Sequence, residues 1–160
     1  MKKYRTILIL LNLVVLLAAF NHSVYKKEKL VSEGQLVFLE LAPVDPRSLM
    51  QGDYMRLSYA IARDLNTDSI PHKGFCIVTL NDSAVASRVR LQTELRPLTS
   101  GEHAIRYSSG SWSINLGAES YFFQEGEADK YALAKYGGLR LNEKGESVLV
   151  GLYDKNLKKL

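Results

Sequence analysis

A single cysteine, Cys76, in a chain of 160 residues leaves no partner for an internal disulfide, so the domain must be held by its core. Its neighbours Phe75, Ile77 and Val78 favour a buried, inert thiol over a nucleophile. No cysteine lies near the N-terminal apolar run, which excludes a lipid-modified N-terminus. Histidine is equally scarce: His22, His72 and His103 stand singly, with no H-x-x-x-H or H-E-x-x-H spacing, and support no metal site or cofactor. His22 is expected at the membrane interface and the other two in solvated positions. Charge of one sign is missing as well. The formal +4 includes Lys2, Lys3 and Arg5, so residues 26–160 hold 18 basic and 17 acidic side chains. Without a basic face or aromatics interleaved with arginine, nucleic-acid binding has no electrostatic support. Repeats, heptads and low-complexity segments are absent. Gly137-Gly138 lacks the spacing of a phosphate loop and is expected to allow a turn.

What the chain does have is a long greasy start. Eleven of the fourteen residues from Ile7 to Phe20 are Ile, Leu, Val or Phe, and no acid precedes Glu28. At about −0.3 to −0.6 kcal/mol each they supply roughly −3 to −7 kcal/mol of insertion free energy, enough to outweigh Asn12. From Tyr4 to Tyr25 the run is long enough to cross a hydrocarbon core of roughly 30 Å, with the two tyrosines at the interfaces. A cleaved signal peptide has the same basic start, but cleavage after Ala19 would place bulky Leu17 where a small residue is wanted. The expectation is therefore an uncleaved anchor. Lys26, Lys27 and Lys29 balance the three cations ahead of the run, so charge does not set the orientation. The short head favours a cytoplasmic N-terminus, with the domain outside.

The chain divides into a head and transmembrane helix (1–25), a charged spacer (26–34) and one extracytoplasmic domain (35–160), too short for two cores. Gln35 to Leu41 has the length and β-branched or aromatic content of a strand. From Tyr54, alternation puts Met55, Leu57, Tyr59 and Ile61 on one face and Arg56, Ser58, Ala60 and Ala62 on the other. Between them, Asp45 as N-cap, Pro46 at the first helical position and Gly52 as terminator signal a short helix. Further strands are expected at Gly74–Leu80, Val85–Gln92, His103–Tyr107, Trp112–Ile114 and Ser120–Phe123, with a turn at Asn81-Asp82-Ser83. A brief helix near Glu127–Ala134 precedes a closing hairpin, up from Lys135 or Leu139, through Asn142-Glu143-Lys144-Gly145, and back along Ser147–Tyr153. The fold class is mainly β: a transmembrane helix followed by a mostly antiparallel β domain with one or two short helices. The C-terminal Lys155, Lys158 and Lys159 would reach anionic headgroups only if the tail turned back.

Gly52-Asp53-Tyr54-Met55-Arg56-Leu57-Ser58-Tyr59 resembles the signature of the GDYXXLXY protein family, as does the lead-in Pro43, Asp45, Pro46 and Arg47. Weaker echoes run through Glu119–Glu127 and the last strand; Phe123-Gln124 departs from an acid-bearing segment usual there. The resemblance implies a bacterial envelope protein with one N-terminal membrane span. It also suggests a polytopic inner-membrane protein as partner, and it supplies no reaction. The signature itself needs no catalysis: Gly52 reverses the backbone, Asp53 accepts turn N–H groups, and Leu57 and Tyr59 fill the core. Tyr54, on the opposite face, either covers the short helix or lies open for binding.

Enzymatic readings lack parts. A signal-peptidase-like hydrolase needs a serine ahead of the proline and a lysine base of depressed pKa. Here Ala42, Pro43, Val44 and Asp45 precede Pro46, Ser48 falls in the expected helix, and Lys73 and Lys135 flank loops. Glu125, Glu127 and Asp129 suggest acid/base work or calcium, but acids at a helix start also complement its dipole. The expectation is a non-catalytic module in the bacterial inner membrane, with the bilayer and a membrane protein as partners. The alternative is a small-ligand or envelope-polymer binder using Tyr54, Trp112, Tyr121 and Phe122; the hydrolase is a remote third.

Overall fold

The computed structural model describes residues 2–42, 54–63, 65, 70–110, 113–124 and 126–160, the side chains of 2, 3, 5, 6, 54 and 128 excepted. The expected helix at 45–52 falls outside these residues.

Helix α1 spans Lys2–Glu33, and its stretch Ile7–Glu33 is long and apolar enough to cross a membrane, with a mean hydropathy of 2.2 over its most apolar 18 residues. From Ile7 to Phe20 its large apolar side chains are all exposed. The charged spacer is helical too, with no break at Tyr25. Its residues are good helix formers, and Ser32 Oγ bonds back to the Glu28 carbonyl at 3.0 Å while Lys29 pairs with Glu33 at 3.7 Å. The helix stops at Gly34, whose N–H donates to the Leu30 carbonyl at 3.0 Å. Arg140 Nη1 donates to the Gly34 carbonyl at 2.7 Å, placing a cation on the negative end of the helix dipole. A Cβ on Gly34 would run into the Leu30 carbonyl, so glycine is required at this joint.

Beyond α1 the described residues form three antiparallel assemblies. β1 (Gln35–Glu40), β8 (Tyr136–Leu141) and β9 (Ser147–Tyr153) form a sheet in the order β1-β8-β9. β3 (Lys73–Leu80), β4 (Ala86–Gln92), β5 (Glu102–Ser109) and β6 (Ile114–Asn115) form a second in the order β4-β3-β5-β6. β2 (Tyr54–Arg56) and β7 (Ser120–Phe122) make a two-stranded ribbon. The two expected hairpins, β3–β4 and β8–β9, form, and the fold is β-rich and mostly antiparallel as expected. The brief second helix is a single turn, α2 (Ala128–Tyr131).

Gly137-Gly138 corrects the expected turn, because both glycines lie inside β8, opposite Leu39 and Phe38 of β1. They are small to make room, not to reverse the chain. A Cβ on Gly137 would sit 2.9 Å from the Tyr59 ring, and one on Gly138 would collide with the Tyr153 ring. Phe38 and Tyr153 meet edge-to-face over the sheet, with centroids 4.9 Å apart.

In β3, Cys76, Ile77 and Val78 are consecutive and fully buried. Since alternate side chains point to opposite faces, both faces of this strand are covered. Burial pushes the Cys76 thiol up to about 12, which makes it inert as expected. Two backbone hydrogen bonds stitch the two larger sheets together. Phe38 N donates to the Ala84 carbonyl at 2.9 Å, and Arg106 N donates to the Gly145 carbonyl at 2.8 Å. The C-terminal lysines follow Tyr153, which lies in register with Tyr136 and Glu40, whereas α1 enters at Gln35. They sit at the end of the sheet away from the helix.

Candidate functional site around the signature strand

Of the signature, Tyr54, Leu57 and Tyr59 are described, while Gly52 and Asp53 lie outside the described residues, as do Pro43, Asp45, Pro46 and Arg47 of the lead-in. Tyr54 pairs with Phe122 and Arg56 with Ser120. Regular pairing ends there, shorter than the alternation implied, but the chain stays extended to Tyr59. Leu57 N donates to the Glu119 carbonyl at 2.7 Å, and the Ser58 carbonyl accepts Ala42 N at 2.7 Å. At Ala60–Ala62 a 3-10 turn breaks the alternation, so Ile61 and Ala62 are both buried where they were expected to face apart. Arg88 Nη1 closes this turn by donating to the carbonyls of Ile61 at 2.6 Å and Arg63 at 2.9 Å.

Met55, Leu57 and Tyr59 are buried as the periodicity implies. Tyr59 is 1% exposed, and its hydroxyl donates to the Ala118 carbonyl at 2.5 Å while its ring packs on Gly137 of β8. The residue therefore joins three parts of the domain: its own strand, the segment leading into β7, and the three-stranded sheet. Burial pushes the Tyr59 hydroxyl far above the usual phenol range, and the Glu119 carboxylate adds to the rise. A phenol held this firmly protonated serves as a donor, not as an acid or nucleophile.

Beside Tyr59 lies an open cleft of about 250 Å³, where Arg56 and Ser58 of the signature face Asn115 and Glu119 above a floor that includes Ile114. Arg56 and Asn115 are exposed, and Glu119 accepts the Leu116 N–H on one carboxylate oxygen. No motif in the sequence brings Arg56, Asn115 and Glu119 to one cleft. Their proximity arises from the fold-back between β6 and β7, and no spacing in the chain announces it.

The aromatics weighed as ligand contacts are dispersed. Tyr121 packs edge-on against Tyr131 at 5.1 Å, Phe123 packs on the same ring at 5.2 Å, and Tyr131 is 6% exposed, so the cluster fastens α2 to β7. Burial, with a hydrogen bond to Tyr131, pushes Tyr121 up to about 12. Phe122 is 74% exposed, and Trp112 lies outside the described residues.

Glu125 is outside the described residues, and Glu127 pairs with Lys130 at 3.9 Å. Among the described residues no three or more His, Cys, Asp or Glu side chains come together as a metal site. Lys135 pairs with Glu40 at 2.9 Å, and the hydrogen bond it donates to that carboxylate raises its pKa. That direction is opposite to the one a lysine base needs. Ser48 lies outside the described residues.

The model of the family described as GDYXXLXY protein matches residues 16–152, from the apolar half of α1 to the end of β9. No curated protein and no solved structure matches the chain.

Proposed function

The chain belongs to the GDYXXLXY family, and on that footing we propose that it is a membrane-anchored, non-catalytic module of the bacterial cell envelope that binds or supports a membrane-protein partner. α1 is the uncleaved anchor, the N-terminus is cytoplasmic, and residues 35–160 stand outside the inner membrane. The observation that carries this reading is the exposed apolar stretch of α1, which runs without a break into a domain whose signature residues Leu57 and Tyr59 are committed to packing. A helix of exposed Leu, Ile and Val offers its surface to lipid or to other transmembrane helices.

Crosslinking in intact membranes, followed by solubilisation and capture of the full chain, tests it. Stoichiometric recovery of one polytopic protein is expected. Failure to recover any, together with a ligand-dependent rise in melting temperature, would favour the second reading, a small-ligand or envelope-polymer binder. That reading draws its support from the cleft beside Tyr59, where the Arg56 guanidinium is the one cation among the lining residues. The hydrolase reading draws least support, given the raised pKa of Lys135. For orientation, a C-terminal reporter should be active only outside the cytoplasm.

A further inference from the structure

We propose that the β8–β9 turn, residues 142–146, rests on the phospholipid headgroups around the emerging helix, with Lys27 and Lys144 facing lipid phosphates. This rests on the anchor reading above and adds a second membrane contact, made by the domain itself.

The argument begins with the joint. Leu30 is 5% exposed although it lies on the anchor helix, because the last turn of α1 packs against β8 and β9. Arg140 of β8 holds the Gly34 carbonyl at 2.7 Å, and β1 begins at the very next residue in register with Leu141. No free linker separates the span from the domain. Tyr25 marks the outer interface, and five helical residues from there to Leu30 rise only about 8 Å. The headgroup layer of one leaflet is itself roughly 5–8 Å deep. The first buried contact of the domain thus sits at the outer edge of that layer.

The turn reaches further down. Gln35, Leu141 and Ser147 are in register, so the chain reverses beside the point where α1 enters the sheet. Lys27, two residues past Tyr25, acts together with Arg106 and Lys144 to draw the Glu146 carboxyl down, after its hydrogen bond from Asn142. Glu146 is therefore near a lysine that the helix places within the headgroup layer. Around it stand three cations, with Glu143 as the other acid of the turn. Glu143, Lys144 and Glu146 are exposed, while Gly145 is buried against Phe75 and the Ala104 carbonyl, which fixes the turn to the domain. The opposite end of the sheet is about 17 Å away along the six residues of β1.

Nitroxide labels on the full chain in phosphatidylcholine–phosphatidylglycerol nanodiscs containing a nickel-chelating lipid test this directly, since Cys76 is buried and will not label. Sites are Glu143→Cys at the turn, Asn156→Cys at the far end and Asn12→Cys in the span. The expected result is a several-fold higher collision rate with headgroup nickel at position 143 than at 156, reduced several-fold by Lys27→Gln with Lys144→Gln. Equal rates at 143 and 156, with the label at 12 protected from aqueous relaxant, would overturn the inference and leave the anchor standing. An undiminished rate at 143 in the double lysine variant would overturn the role of the lysines. A label at 12 open to aqueous relaxant would instead sink the anchor reading.

Discussion

The Tyr59 hydroxyl donates to the Ala118 carbonyl at 2.5 Å, spanning fifty-nine residues of sequence. This one bond ties the end of the signature to the segment that enters β7, in an interior where neither group can turn to water. Tyr59→Phe should leave the carbonyl unpaired and cost about 1–2 kcal/mol. Tyr59→Ala also removes a ring from the core and should cost about 3–5 kcal/mol. Denaturant unfolding of the full chain in detergent, followed by tryptophan fluorescence, gives both values. Near-equal losses would mean that the ring contributes little.

Gly137 is the counterpart of that ring. A Cβ there would lie 2.9 Å from Tyr59 Cε1 and 3.2 Å from its hydroxyl, closer than ordinary packing tolerates. Gly137→Ala should therefore cost about 1–3 kcal/mol through overpacking. In the double variant with Tyr59→Ala the added methyl enters space the ring has left, so the combined loss should fall short of the sum of the two single losses by more than about 0.5 kcal/mol. Strict additivity in that cycle would show that the clash is relieved elsewhere.

These glycines also mark where the sequence stops being legible. Strand order and the buried face of Met55, Leu57 and Tyr59 follow from local period and turn chemistry, and the structure agrees with them. Gly137-Gly138 reads as a turn only because the rings of Tyr59 and Tyr153, distant in sequence, are invisible to a local pattern. Likewise the alternation from Tyr54 continues on paper through Ala62. The 3-10 turn that ends it is held by Arg88, from a strand formed about two dozen residues later. The cleft joining Arg56 to Asn115 and Glu119 is tertiary in the same sense. The helical spacer is legible in part, since Glu28, Lys29 and Leu30 are good helix formers, although its charge is that of a linker.

One turn recurs three times and makes a prediction of opposite signs. Asn81, Asn142 and Asp154 each accept on Oδ1 the N–H groups two and four residues on, at 2.8–3.0 Å. The fourth residue of each turn is left-handed: Ala84 at φ 58°, Gly145 at 76° and Leu157 at 60°. Only the middle turn has the residue this conformation favours. A left-handed L-residue costs about 1–2 kcal/mol and glycine's extra entropy about 0.5–1 kcal/mol, so Ala84→Gly should gain roughly 0.5 kcal/mol. Gly145→Ala should lose roughly 0.5 kcal/mol by the same balance, and more because Phe75 lies 3.0 Å from the new Cβ. Unfolding midpoints that shift in the same direction would refute the shared geometry.

The Arg90–Glu102 pair gives the domain an acid-sensitive element. Arg90 grips both carboxylate oxygens, and Thr99 N donates to Oε2 at 2.9 Å, so the loop between β4 and β5 is drawn onto one side chain. The Arg90 hydrogen bond, followed by that from Thr99, pulls Glu102 from its ordinary 4.5 down to about 2. Because the folded pKa lies below the unfolded one, the native state binds its proton later than the unfolded state does. The stabilisation is therefore complete above about 4.5 and is lost as pH falls towards about 2. Thermal midpoints measured across that window should fall more steeply for the natural chain than for Glu102→Gln, which has no carboxyl there to titrate. At neutral pH the variant should melt lower, because the amide replaces a charged acceptor of the guanidinium. Parallel curves for the two proteins would mean that the pair contributes nothing to folding, as surface ion pairs often do not.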